Sequence, residues 1–183
     1  THHSNAIEGT TLSFGETKQL LENGLTAKDK PINEQLVILG FAKAFDVVVR
    51  EASNTKKAID SSFIKDLHEI MFEDALRIAP HFTAKPVGAY RSDERRIQGS
   101  LVVLTHPSKI SVELENLLYR FRDRPMSLAD IARFHIKFET VHPFADGNGR
   151  IGRLLTTFQA IQSDFIPPLI LNEQKNGYLD GFD

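Results

Sequence analysis

The sequence predicts a mostly α-helical single domain carrying one small β-hairpin. Apolar residues recur at helical spacing in successive stretches, several of them opened by Ser or Asp capping residues, and only the region around 86–107 breaks into short runs with Gly and Pro punctuation. A length of 183 residues with 41% hydrophobic content supports one sizeable core and is short for two.

Taken in order, Ser4-Asn5-Ala6-Ile7-Glu8-Gly9 reads as a helical turn closing at Gly9, with Ser4 and Glu8 on one face. Residues 13 to 23 start with Ser13-Phe14-Gly15-Glu16, an S-x-x-E capping box, and meet Gly24 where a helix C-terminal glycine belongs. The run EQLVILGFAKAFDVVVREA, 34 to 52, is apolar on nearly every side, so a central buried helix is expected. Phe63, Ile64, Leu67, Ile70 and Met71 follow Asp60 as a cap, and Val112, Leu114, Leu117, Leu118 and Phe121 follow Ser111. Between these two helices, residues 95 to 98 and 101 to 104 are expected as short strands paired about Gly99. Ser127 and Asp130 open a helix bearing Leu128, Ile131, Phe134, His135, Phe138 and Val141, which Pro143 cannot continue. Ile151, Leu154, Leu155, Phe158 and Ile161 then predict a helix beginning near Gly149 or Arg150.

Charge and composition exclude several classes of function. Lys plus Arg number 22 against 24 Asp plus Glu, a net charge of −2, so no general attraction to nucleic acid is expected and any phosphate site must be local. The absence of cysteine removes disulfides, thiolate metal sites and a cysteine nucleophile, and fits a cytoplasmic protein. No apolar run approaches a membrane span and the first residues lack the pattern of a signal peptide, so no membrane partner is expected.

The chemistry concentrates in VHPFADGNGRIGRLL, residues 141 to 155. Gly147, Gly149 and Gly152 spell the dinucleotide pattern G-x-G-x-x-G, but that pattern needs a preceding strand and a succession of strand and helix units, which this chain lacks. Glu139 and His142 form an E-x-x-H pair with His135 one turn earlier; bundles with two metals use that motif twice, and here it occurs once. His135 is therefore expected as a hydrogen-bonded core residue and Glu139 as a solvated acid.

A phosphate cradle suits the residues better. Gly147-Asn148-Gly149 ahead of a helix lets backbone N–H groups converge on an anion, with the helix terminus adding partial positive charge. Arg150 and Arg153, one turn apart, can both reach a bound polyphosphate. Asp146 at the edge either holds Mg²⁺ shared with phosphate oxygens or caps the helix. His142, mostly neutral at pH 7, can take a proton from an incoming hydroxyl. These are the parts for attack on a nucleotide phosphate.

HPFADGNGR followed by Ile151, Gly152 and Arg153 resembles the Fic signature H-x-F-x-[D/E]-G-N-G-R-x-x-R at every specified position. SNAIEGTTLSFGETKQLLENG resembles the S-x-x-x-E-G inhibitory segment of that family, and LHEIMF and VGAYR its following blocks. The resemblance implies a helical Fic-type core with a hairpin flap, divided into an inhibitory segment, 1 to 12, and a catalytic domain, 13 to 183. It further implies transfer of AMP from ATP, with Mg²⁺, to a Ser, Thr or Tyr hydroxyl of a target protein lying along the flap at about 95 to 104, with self-association left open. His142 becomes the general base, Asp146 the Mg²⁺ ligand, Gly147, Asn148 and Gly149 the α- and β-phosphate site, and Arg153 the γ-phosphate partner. Glu8, with Ser4, becomes the inhibitor that pairs with Arg153, Phe144 an inward anchor, and Tyr178 a contact near the nucleotide base. Gly149 stands where phosphate-transferring relatives place a lysine, which favours AMP transfer. Removal of AMP from a modified protein, transfer of another phosphate-containing group, and a non-catalytic nucleotide-binding adaptor are the alternatives.

Overall fold

The computed structural model describes residues 1–96, 102–122 and 126–181. Its helices are α1 (His2–Ile7), α2 (Phe14–Asn23), α3 (Ile32–Ala52), α4 (Ser61–Ile78), α5 (Ile110–Arg120), α6 (Leu128–Val141), α7 (Asn148–Gln162) and α8 (Lys175–Asp180). Most begin where the capping chemistry places them. Ser13 and Glu16 close a reciprocal capping box at α2, Ser127 and Asp130 do so at α6, and the Asp60 carboxylate accepts the Phe63 N–H at 2.7 Å to start α4. Each such cap contributes about 1 kcal/mol. α5 starts earlier than Ser111 predicts. A 3-10 turn over Pro107–Lys109, capped by the His106 ring, runs straight into Ile110, whose burial fixes the entry and leaves Ser111 inside the first turn.

α3 lies along α4 and α7, and α6 along α7. Gly40 lets α3 approach α4, since a Cβ there would collide with the Met71 carbonyl. Phe41, Ile64, Leu67, Met71, Phe134, Phe138, Phe144, Ile151, Leu155 and Phe158 form one core, and each large side chain it takes from water is worth about 1.5–3 kcal/mol. The central helix is α7 rather than α3: α7 is buried from Arg150 through Ala160, whereas α3 buries a stripe and exposes Lys43, Asp46, Val49 and Arg50. α1 rests on α7 and on the 3-10 turn Asn172–Gln174 that leads into α8. α8 was not expected, because Gly177 inside it lowers helix propensity by about 1 kcal/mol. Among the described residues no helix is long and apolar enough to cross a membrane.

The hairpin expected over 95–98 and 101–104 is not found. Residues 97–101 lie outside the described residues, and Arg95, Arg96 and residues 102–104 carry no strand; no strand occurs among the described residues. The flanking backbone is engaged elsewhere. The Arg91 guanidinium takes the carbonyls of Asp93 and Thr105, both at 2.6 Å, and the Thr105 N–H donates to the Thr140 carbonyl at 3.1 Å, which leaves these groups out of any ladder. An isolated two-stranded hairpin would in any case be marginal.

Candidate active site

His142 ends α6 in the left-handed region, φ 48° and ψ 60°, a conformation that costs a non-glycine residue about 1–3 kcal/mol and is characteristic of functional turns. Its N–H donates to the Phe138 carbonyl at 2.9 Å and its own carbonyl accepts from Arg91 Nε at 2.7 Å. Nδ1 lies 3.2 Å from the Glu139 carbonyl, which can only accept, so Nδ1 carries the proton and Nε2 keeps its lone pair. Burial holds the imidazole pKa below the ordinary value; Arg91 and Arg95 push the same way, while the Glu139 hydrogen bond and Glu8 oppose. The ring is therefore neutral at pH 7 and presents a free nitrogen.

The loop after it is tied at three points. The Asn148 side-chain amide clasps the Phe144 backbone, accepting its N–H at 2.9 Å and donating to its carbonyl at 2.8 Å. Phe144, fully buried as expected, stacks on His68 with ring centroids 4.0 Å apart. The Gly88 N–H donates to His68 Nδ1 at 3.0 Å, so Nε2 bears the proton and donates to the Asp146 carbonyl at 3.1 Å. Gly147 then turns with φ 80° against Phe72 and Met71, where a Cβ would come within 2.6 Å of the Phe72 ring. Only glycine meets both demands.

α7 starts here, its first intrahelical bond running from the Ile151 N–H to the Gly147 carbonyl at 2.9 Å. The N–H groups of Asn148, Gly149 and Arg150 precede that bond, and among the described residues no side chain caps them. These are the groups expected from the sequence to face an anion; the Asn148 backbone N–H is among them, while its side-chain amide bridges the Phe144 backbone. Glu8 lies over this helix start. A Cβ on Gly149 would strike Glu8 Oε1, and the same oxygen accepts from Arg153 Nη2 at 2.7 Å. That nitrogen also reaches the Ser4 carbonyl at 2.7 Å, so Ser4 takes part through its backbone rather than its hydroxyl. The pairing is single-pronged, because Arg153 Nη1 turns to the Tyr178 hydroxyl at 3.3 Å. Burial penalises the Arg153 charge, yet Glu8 and Tyr178 outweigh that penalty and raise its pKa.

The two arginines divide. Arg150 lies over the Phe72 ring and donates to Asp146 Oδ1 at 3.1 Å, while Arg153 faces Glu8. Asp146 Oδ1 also accepts the Gly147 N–H at 2.6 Å. The Asp146 side chain is half exposed, and both of these bonds end on one oxygen. Among the described residues no three His, Asp or Glu groups gather as a metal cage. A lone carboxylate still suits Mg²⁺, which is commonly held by one or two carboxylates together with substrate phosphates. Tyr178 lies on α8 with its hydroxyl 2.6 Å from His135 Nε2 and beside Arg153, and burial pushes its pKa up to about 12. It braces Arg153.

Glu139, expected as a solvated acid, is buried against α7, and its Oε1 finds no hydrogen-bond partner among the described residues. A Cβ on Gly152 would come within 2.6 Å of that oxygen. Burial, then Glu8, push the Glu139 pKa up to about 8, so it is protonated at neutral pH. His68 and His135 shift the other way, by burial, to about 4 and about 3. A histidine with a depressed folded pKa makes the unfolded chain the better proton binder below its ordinary value of 6.5, so stability falls as pH drops from there towards 4. Glu139 has the opposite sign: its contribution is complete below about 4.5 and is lost as pH rises through 8. Together these three groups place maximal stability near pH 6.5, measurable as the urea midpoint from pH 4.5 to 8.5. Glu139→Gln is expected to abolish the decline on the alkaline side.

Residues 58–160 match the Fic/DOC family, more than half of the chain. The chain belongs to that family. The Fic chain is 31% identical over 179 residues to "Protein adenylyltransferase fic-1" of Caenorhabditis briggsae, covering 93% of itself and 32% of the relative. It is 27% identical over 193 residues to "Protein adenylyltransferase Fic" of Nematostella vectensis, covering 98% of itself and 41% of the relative. Among solved structures, a Fic domain containing signaling protein from Bacteroides thetaiotaomicron superposes with a TM-score of 0.83 at 25% identity, over 98% of this chain and 67% of that one. Fic-1 from C. elegans gives 0.81 at 26% identity, over 97% and 52%. This Fic chain thus spans about a third of the length of the C. briggsae relative and about two fifths of the N. vectensis one.

Proposed function

We propose that this chain is an autoinhibited protein adenylyltransferase, moving AMP from ATP to a Ser, Thr or Tyr hydroxyl of a target protein. The observation that carries this reading is the convergence of a neutral His142 with a free Nε2, the uncapped N–H groups of Asn148, Gly149 and Arg150, and Arg153 held by Glu8. The printed names of the relatives, protein adenylyltransferases, point the same way.

In this mechanism the N–H groups at the start of α7 bind the α- and β-phosphates and Arg153 binds the γ-phosphate once Glu8 has left it. The target hydroxyl approaches His142 Nε2, which takes its proton as the oxygen attacks the α-phosphorus. The bond from the α-phosphorus to the bridging oxygen breaks and pyrophosphate leaves, so AMP ends on the target and the proton on the histidine. Mg²⁺ at Asp146 would neutralise phosphate charge. Replacing Asp146 by alanine is expected to raise the Mg²⁺ concentration needed for half-maximal transfer; an unchanged titration would assign the residue to holding Arg150 and the Gly147 turn. The target is proposed to lie along the segment of about 95 to 104, held through backbone groups rather than particular side chains.

The test uses ATP labelled at the α-phosphate and, in parallel, at the γ-phosphate, incubated with Mg²⁺, cell lysate and the Glu8→Gly protein. Adenylyl transfer puts label on protein from the α position alone. Label from the γ position would make the chain a phosphotransferase, and ATP binding without either label would make it a nucleotide-binding module.

A further inference from the structure

Arg91 lies outside the signature stretch, yet its contacts converge on the catalytic histidine. It is 2% exposed, and its guanidinium donates to backbone carbonyls at all three nitrogens: His142 from Nε at 2.7 Å, Asp93 from Nη1 at 2.6 Å and Thr105 from Nη2 at 2.6 Å. Its own N–H donates to the Pro143 carbonyl at 2.9 Å. One buried cation therefore holds the strained peptide at His142 and both arms of the 93–105 segment, whose second arm is pinned again by the Thr105 N–H on the Thr140 carbonyl of α6 at 3.1 Å. A guanidinium is suited to this task, since its rigid planar fork presents donors in several directions at once, whereas an ammonium is a point charge on a flexible stem.

We propose that Arg91 is a positioning residue that locks His142 in its left-handed turn and mechanically joins it to both arms of the target-facing segment, so that the placement of target and of base is set by one side chain. This rests on the adenylyltransferase reading for the role of His142. It adds that movement of either arm, 93–96 or 102–105, is felt at the histidine backbone. Electrostatics give the coupling a second signature. The charged groups acting on the His142 ring are Arg91 and Arg95 from this segment and Glu8 at the end of α1; the Glu139 carboxyl of α6, 3.9 Å from Nδ1, is protonated at neutral pH. Of these, Arg91 and Arg95 hold the ring towards its neutral form.

The test compares Arg91→Gln and Arg91→Lys, both in the Glu8→Gly background, by transfer kinetics and by NMR titration of the His142 imidazole. Arg91→Gln is expected to lower kcat about a hundredfold, the scale of a misplaced reacting group, with KM for ATP little changed, and to move the imidazole titration to higher pH. Arg91→Lys keeps the charge but not the three-way fork, so its titration stays near the starting position while kcat still falls. A folded Arg91→Gln protein with unchanged kcat and unchanged titration would overturn the proposal. Should that variant not fold, hydrogen exchange in the unaltered protein decides: the backbone N–H groups of Arg91 and Thr105 are expected to exchange at one common protection, as a single opening unit, and independent rates would overturn it. Titration and exchange need no transfer assay, so they remain readable even if His142→Ala retains full transfer and the adenylyltransferase reading fails.

Discussion

His142→Ala is expected to cut AMP transfer about a hundredfold to ten-thousandfold, the usual contribution of a general base, while ATP binding stays close to its starting value. Binding is expected to survive because, on the proposed reading, the phosphate contacts would come from the α7 N-terminus and Arg153, none of which uses the imidazole. Loss of transfer follows from the protonation state: the Glu139 carbonyl fixes the proton on Nδ1, so Nε2 is the one nitrogen that can accept from a hydroxyl. The pH dependence carries the same information. Because burial depresses the His142 pKa, the acid limb of the kcat profile is expected below the ordinary histidine value, with activity rising as the ring deprotonates. Single-turnover transfer and equilibrium ATP binding, measured on the same variant, check both halves. Transfer at the original rate would remove His142 from the role of base.

Glu8→Gly is expected to increase transfer, including modification of the protein itself, and Arg153→Ala to abolish it even in that freed background. The increase follows from position. Glu8 Oε1 sits over Gly149 and bonds Arg153 Nη2, so it fills the space and the charge partner that a γ-phosphate needs, and ATP either fails to enter or bends out of line for attack. The loss in Arg153→Ala follows from burial: Arg153 is 7% exposed and packed against Tyr178 and Glu8, and no other described arginine reaches that place, since Arg150 turns to Asp146. Transfer rates at saturating ATP and Mg²⁺ check the pair. A Glu8→Gly protein no faster than its parent would end the autoinhibited reading. One that instead loses the ability to release AMP from an already modified target would make Glu8 the residue that aligns a hydrolytic water.

Periodicity and capping gave most of the helices because they are local: Ser13 with Glu16, and Ser127 with Asp130, act within one turn and need no tertiary partner. The signature stretch was equally readable, since glycine freedom at Gly147 and the helix start behind it are written in adjacent residues. What escaped depends on distant chain. His68 and Asp146 are 78 positions apart, and Arg91 and His142 are 51 apart, so no spacing rule marks either as part of the site. LHEIMF and VGAYR were visible as family blocks, but their roles were not. The burial of Glu139 escaped for a related reason: a helical wheel locates a face, and only the approach of Gly152 on α7 shows which face is covered. The hairpin was overestimated because strand propensity is silent about a guanidinium that claims the carbonyls at both ends.

The contact between Glu8 and Arg153 bridges 145 positions, whereas the loop it covers is closed by Asn148 and Phe144, four positions apart. Chain-closure entropy separates two such contacts in time, because short loops close readily and very long ones wait for the intervening chain to condense. A chain refolding from urea is therefore expected to close the Asn148–Phe144 turn ahead of the Glu8–Arg153 contact. On the proposed reading, a molecule that has closed this turn but not yet docked Glu8 would be unrestrained, and restraint would arrive last, in the order opposite to that in which the two segments leave the ribosome.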